Sequence, residues 1–359
     1  MRKNVGVIGL GIIGRGVAGN LRRKGFPVYV WNRSPRSIPN FVGSPGEIAE
    51  ICNYIQIIVS DGDALLQTVE QLSGKLTPHH FVLAHSTVAP DSMRAAAEIV
   101  NRRKAYFVEA PFTGSKAAAE KGELVYYVSG NEAALHAARP ILQASSKEII
   151  EIGSTIGHAS AIKIATNMVT AASVQATAEA LALVQVLGLP LEKFAEAMRS
   201  NASQSTTVAM KLSKMLDRDF EPHFSVKHML KDMQIANQIG LSNYLDLGVT
   251  AAARDQLLEQ VHWGHGDDDY SVVARKYLQE PAPAAGEELP LEEPEEQIGA
   301  DEPIESSIEA ESQHQQDATA EVSPAPLIGL ASREGANETT RLRPGFLKQL
   351  LSRLSSGKE

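Results

Sequence analysis

The stretch Gly9-Leu10-Gly11-Ile12-Ile13-Gly14 constrains this chain more than any other. An apolar run at residues 4–8 leads directly into it, and a helix-like segment at 15–24 leads directly out. Glycines at this spacing permit a tight turn, close approach of backbone to a pyrophosphate and close packing of helix on strand. The helix N-terminus adds free N–H groups and positive dipole. On its own the pattern is weak and a merely structural glycine turn competes with it. The strand before, the helix after and a second strand at residues 27–31 favour a dinucleotide site.

Short apolar runs continue at residues 54–60, 81–85, 105–109, 124–129 and 148–152, separated mostly by stretches long enough for a crossover helix. The alternation predicts a mostly parallel α/β sheet with helices on both faces. Ser44-Pro45-Gly46-Glu47 has the pattern of a capping box with proline at the first helical position. After Gly153 the strand runs stop and helical patterns follow, which predicts an all-α second domain. The segment 160–189 holds only two charged residues in 30, Lys163 and Glu179, and is expected to be buried on every side, between domains or against another subunit.

The formal charge of −9 is concentrated in one place. Residues 280–326 hold 14 acidic side chains and no Lys or Arg, so the remainder carries +5. From 281 to 340 the chain is rich in Pro, Ala, Glu, Gln and Ser without apolar periodicity, and is expected to be a disordered acidic linker. Residues 341–359 place Phe346, Leu347, Leu350, Leu351 and Leu354 on one helical face among basic residues. That pattern suits docking on a protein or an anionic surface, with a weakly structured end as the alternative. The expected domains are therefore 1–157, 158–280, the linker 281–340 and the terminal segment 341–359. Six glycines between Gly6 and Gly19, with Arg15 among them, argue against a secretory leader at the start. A single cysteine, Cys52, suits a reducing cytoplasm and offers no Cys-based metal site. The protein is expected to be soluble and cytoplasmic.

The second strand ends in Asn32-Arg33-Ser34, where an NAD site would carry an acid for the ribose 2′-hydroxyl. Asn32 and Ser34 can donate to a 2′-phosphate, and the guanidinium of Arg33 can pair with it. NADP is therefore expected over NAD, against the alternative that Arg33 is a solvated loop charge. Lys163 is the only base in the apolar segment, with Asn167 at i+4 on the same helical face. A buried ammonium needs partners or a depressed pKa, which makes Lys163 a candidate general acid. The alternative, a lysine that snorkels to water near the helix start, stays open. Glu109-Ala110-Pro111-Phe112-Thr113-Gly114-Ser115 follows a predicted strand. Its Thr113 hydroxyl and the N–H groups of Gly114 and Ser115 suit a carboxylate, and a plain strand-to-helix turn is equally compatible.

Taken together these residues resemble the β-hydroxyacid dehydrogenase family. Four blocks carry the resemblance: the glycine loop; Pro111 to Lys116 with Ala119, Gly122 and Leu124; Gly157 through Lys163 to Asn167; and Lys231-Asp232 with the later residues 266–271. They span residues 3–279 in family order. The resemblance implies a Rossmann domain and an all-α domain joined through a long apolar helix, with substrate in the cleft between. It implies Lys163 as general acid/base, Thr113, Gly114, Ser115 and Asn167 at the substrate, and Ser86, Thr87 and Lys231 near the nicotinamide. Gly9, Gly11, Ile12, Ile13 and Gly14 would hold the pyrophosphate. Ser115-Lys116 after Thr113-Gly114 looks most like the glyoxylate/succinic semialdehyde reductase branch. Thr166, where many members have asparagine, and Ser242-Asn243, where proline is frequent, depart from the family near the substrate end.

His262, His265 and Asp267 to Asp269 have spacing compatible with a metal, but the glycine turn and the family pattern explain the stretch, so no metal is expected. His85, His158 and His228 have no visible triad partners. No basic stripe with interleaved aromatics suggests nucleic-acid binding by the core. The expected function is NADP(H)-dependent interconversion of a small aldehyde acid and its hydroxy acid by a homodimer or homotetramer. The alternative is a catalytically idle dinucleotide-binding scaffold whose C-terminal tail recruits a partner.

Overall fold

The structure is a computed structural model and describes residues 3–278. The expected acidic linker and basic terminal segment lie outside the described residues. The first half folds as β1 (Val5–Ile8), α1 (Ile12–Arg23), β2 (Val28–Trp31), α2 (Pro45–Ile51), β3 (Tyr54–Ile57), α3 (Gly62–Ser73), β4 (Phe81–Ala84), α4 (Pro90–Asn101) and β5 (Tyr106–Glu109). It continues with β6 (Phe112–Thr113), α5 (Lys116–Lys121), β7 (Leu124–Gly130), α6 (Glu132–Gln143) and β8 (Ser146–Gly153).

One sheet runs in the order β2-β1-β3-β4-β5-β7-β6, with β8 also pairing β7. The strands from β2 to β5 are parallel. Helices cover both faces: Val17 and Leu21 of α1 pack with Ala138 and Ile141 of α6 on one side. Ile48 of α2, Leu65 of α3 and Met93 of α4 form the core on the other. This double coverage explains why β1 reads as an unbroken run without polar side chains, and why every residue of β1 and β3 is buried, Gln56 of β3 included.

The parallel pattern breaks at β7, which runs antiparallel to β5 and to the unforeseen strand β6. The reason is length. The six residues of α5 rise only about 9 Å, too little to carry the chain back along the seven residues of β7, roughly 23 Å of strand. At α2 the Ser44 hydroxyl accepts from the Glu47 N–H, and the Glu47 carboxylate returns to the N–H of Gly43, one residue earlier than a standard capping box.

The second half is helical: α7 (His158–Val186), α8 (Leu191–Arg199), α9 (Thr206–Leu216), α10 (Val226–Ser242), α11 (Gly248–His262) and a 3₁₀ turn at Tyr270–Ala274. Its core gathers Val174 and Leu181 of α7, Met215 of α9, Met233 of α10 and Leu257 of α11. Within the single chain helix α7 is buried on one side, which leaves the other available for the subunit contact expected as an alternative. One face packs in the core, while Val169, Leu183 and Val186 are 69, 61 and 79% exposed.

The three acids expected to tempt a metal are occupied otherwise. Asp267 pairs with Lys227, Asp268 with His265, and Asp269 with Lys211. Asp269 is fully buried and accepts from Lys211 at 2.7 and 2.8 Å, from the N–H groups of His223 and Phe224 and from both the N–H and hydroxyl of Ser271. Burial alone would raise its pKa, but Lys211 and Ser271 outweigh burial and hold it below the usual carboxylate range. Lys211→Met leaves this carboxylate buried without its cation. The expected loss of stability is about 3–5 kcal/mol, read from urea denaturation. A loss within experimental error would contradict the role given to the pair.

Candidate active site

The site lies beyond the carboxyl ends of the parallel strands, where the strand order reverses between β1 and β3 and ligands of such sheets bind. The turn after β1 is one only glycine makes: Gly9 has φ of 95°, and a Cβ there would stand 2.0 Å from the Ile58 carbonyl oxygen. A Cβ at Gly14 would meet the Gly9 carbonyl at 1.9 Å, so Gly14 closes the loop on itself rather than lining a cavity. At Gly11 the same test finds open space. Gly11 is also the N-cap of α1 and has no side chain to take up the first-turn N–H groups. An open cradle at an uncapped helix N-terminus fits a pyrophosphate.

Three adjoining cavities form a groove past this loop. The first, about 360 Å³, is lined by Gly9, Gly11, Asn32, Arg33 and Ser34. The second, about 410 Å³, has Gly11, Ile12, Ile13, Ser86, Thr87 and Lys231 in its walls. The third, about 440 Å³, meets the second at Ile13 and Thr87 and is lined by Thr113, Gly114, Ser115, Lys163 and Asn167. Every residue expected at the cofactor or the substrate except Gly14 thus borders the groove.

Several of these side chains already have work within the protein. Asn32 Oδ1 accepts from the Leu10 N–H at 2.9 Å, and its amide donates to the Ser34 carbonyl, so Asn32 braces the glycine loop. That leaves Arg33 as the charged side chain of residues 32–34. Ser115 Oγ caps α5 through the Ala118 N–H at 3.3 Å. Ser86 Oγ accepts from the Val59 N–H at 3.1 Å.

Helix α7 is anchored at its start by Glu109, the last residue of β5. This fully buried carboxylate accepts from the Gly157 N–H at 2.7 Å and the Ser160 N–H at 2.6 Å. It satisfies two of the donors a helix start leaves open and complements the dipole. One turn further on stands Lys163, 8% exposed, which resolves the snorkelling alternative in favour of burial. Its Nζ donates to Asn167 Oδ1 at 2.9 Å, and Asn167 Nδ2 donates to Asp232 Oδ2 at 2.6 Å. The other Asp232 oxygen takes Lys231 Nζ at 2.7 Å, and Lys231 also donates to the Thr87 carbonyl. Burial pulls the Lys163 pKa down to about 8; Asp232 opposes the shift and Lys231 adds to it. An ammonium with that pKa can both hold and release a proton near neutral pH.

Asp232 and Glu109 were not legible as site residues. Asp232 appeared only as the neighbour of Lys231, and its partner Asn167 lies 65 positions away in the chain. Phe224 and His223, in both the second and third cavities, were likewise missed. Asp269, which holds their N–H groups, and His228, stacked on Phe224, were the sequence signals near them.

Residues 4–153 match a family model described as the NAD binding domain of 6-phosphogluconate dehydrogenase. Residues 157–277 match one described as the NAD-binding part of NADP-dependent 3-hydroxyisobutyrate dehydrogenase. Glyoxylate/succinic semialdehyde reductase 1 of Arabidopsis thaliana is 29% identical over 279 residues, covering 75% of this chain and 96% of that protein. The cytokine-like nuclear factor N-PAC of Danio rerio is 29% identical over 286 residues, covering 77% of this chain; the chain spans 62% of that relative's length. Among solved structures, a 3-hydroxyisobutyrate dehydrogenase from Salmonella typhimurium has the same fold, with a TM-score of 0.71 at 23% identity, covering 77% of this chain and all of that one.

Because Asp232 supports the charged form of Lys163, Asp232→Asn is expected to move the lysine's pKa further down from about 8. NMR titration of ¹³C-methylated lysines, assigned through Lys163→Arg, reads this. A Lys163 pKa that stays put or rises would contradict the linkage.

Proposed function

The chain belongs to the β-hydroxyacid dehydrogenase family, and from that membership we propose that it interconverts a small aldehyde acid and its hydroxy acid with Lys163 as general acid/base. It is an NAD(P)-dependent oxidoreductase acting on CH–OH groups. The open cradle at Gly11 and the first-turn N–H groups of α1 suit the pyrophosphate. Arg33, in the first cavity, suits a 2′-phosphate, and the strand end carries Asn32 in place of the acid that would repel one. Preference for NADP rests on these two residues.

The dinucleotide, when bound, supplies the hydride for reduction or takes it up in oxidation. The protein's own residues handle the proton and the substrate. Lys163 Nζ gives its proton to the oxygen that becomes an alkoxide as the aldehyde is reduced, and takes it back in the reverse direction. Asn167, fixed by Asp232, holds Lys163 in one orientation and leaves the rest of its donor capacity for substrate. Thr113, with the backbone at Gly114 and Ser115, lines the same third cavity and suits the substrate carboxylate. The observation that carries this reading is the buried Lys163 on its Asn167–Asp232 relay, lining a cavity that adjoins the glycine loop. The exposed apolar face of α7, with Val169, Leu183 and Val186, supports self-association as the state in which the enzyme works.

Glyoxylate, succinic semialdehyde, tartronate semialdehyde and methylmalonate semialdehyde, each offered with NADPH and with NADH, form the test, followed by loss of the reduced-cofactor absorbance. At least one is expected to turn over, faster with NADPH. Lys163→Met should lower turnover by about 10²–10⁴-fold with cofactor affinity kept. Bound cofactor without turnover of any aldehyde would favour the idle scaffold, and undiminished turnover in Lys163→Met would remove the lysine from the chemistry.

A further inference from the structure

We infer that His85 is a binding residue for the nicotinamide end of the dinucleotide, its Nε2 accepting a hydrogen bond from the carboxamide N–H. The inference rests on the cofactor reading above. His85 follows β4 directly, ahead of Ser86 and Thr87, and is 1% exposed. Its Nδ1 lies 2.8 Å from the Ala110 carbonyl oxygen. A carbonyl only accepts, so Nδ1 carries the hydrogen and Nε2 of the neutral ring is a bare acceptor. Burial keeps the ring neutral, pushing its pKa down to about 4 against the support of the Ala110 carbonyl.

Among the described residues no donor reaches Nε2. The other buried side-chain atoms without a partner belong to residues outside the walls of the groove; His85 is one of the wall residues. A buried acceptor left without a donor calls for a partner from outside the chain. The ring is held by the Ala110 carbonyl on one edge and packs at a tilt on Tyr126, with centroids 5.1 Å apart, so it does not turn away to find one.

Position selects what that partner is. His85 lines the cavity shared with Gly11, Ile12 and Lys231, and is absent from the walls of the cavity that holds Lys163. The missing donor therefore belongs to the dinucleotide and not to the aldehyde acid. Arg33 marks the far cavity for the phosphorylated adenosine end, which leaves the nicotinamide for this one. Its neutral donor is the carboxamide N–H₂. Of the neighbouring groups, Ser86 Oγ already accepts from Val59, and Lys231 donates to the Thr87 carbonyl and Asp232.

The test is calorimetric titration with NADP⁺ and with 2′-phospho-ADP-ribose, which lacks the nicotinamide. His85→Phe keeps a ring against Tyr126 but removes the acceptor. It is expected to weaken NADP⁺ binding about tenfold and to leave 2′-phospho-ADP-ribose unchanged. His85→Gln, whose amide oxygen can stand in for Nε2, should recover part of the loss. In the unaltered chain the Nε2 nitrogen resonance should move toward that of a hydrogen-bonded imidazole with NADP⁺ and stay in place with 2′-phospho-ADP-ribose. Equal weakening of both ligands, no weakening of either, or an Nε2 resonance indifferent to NADP⁺ would overturn the assignment. Failure of the unaltered chain to bind either ligand would remove the cofactor reading itself.

Discussion

An ammonium group held away from water is the constraint on which the rest of the site depends. Lys163 would be costly to bury alone, because desolvation disfavours its charged form. The chain offsets that cost with one neutral oxygen, from Asn167, and one carboxylate behind it, from Asp232. The same contacts fix geometry. An ionised carboxylate only accepts, so Asp232 draws the Asn167 N–H₂ toward itself and turns the Asn167 oxygen onto Lys163. The relay therefore sets both the lysine's orientation and how readily it gives up a proton.

Holding that group beside the glycine loop requires the helical half to be tied to the sheet, and two tethers do so. Glu109, at the end of β5, grips the first turn of α7; Lys231 of α10 reaches the Thr87 carbonyl just beyond β4. Both tethers attach at the carboxyl ends of the parallel strands, the end at which the chain turns at Gly9. The loop carrying His223 and Phe224 is set by a third device, the buried Lys211–Asp269 pair, whose carboxylate takes the N–H of each. Glu109, Lys211 and Asp269 are charged groups removed from water and Lys231 is partly so, so the site is braced where charge meets backbone and open where the glycine cradle faces the groove.

Much of this was legible because the signals are local. The glycine loop, the strand ends and the Lys163–Asn167 spacing each follow from neighbours a few residues apart, and the expected doubly covered α/β sheet with a helical second half is the fold observed. What escaped depends on distance in the chain. Glu109 reads as the end of a strand until Gly157 and Ser160 arrive from some fifty positions on. Asp232 reads as one member of a charged pair until Asn167 meets it. That Asn32 also braces the glycine loop could not be read from its own stretch, because its oxygen is taken by the Leu10 N–H from 22 positions back. The antiparallel β7 follows from the shortness of α5, and which side of α7 the chain itself covers was not legible, because composition records apolarity without saying which side is covered.

The pH dependence of turnover in both directions addresses the buried proton donor most directly. If Lys163 supplies the proton, the rate of aldehyde reduction falls as pH rises through about 8 while the rate of hydroxy-acid oxidation climbs through the same value. Profiles that stay flat through that pH in both directions, with chemistry rate-limiting as judged by a deuterium isotope effect on the transferred hydride, would contradict the account.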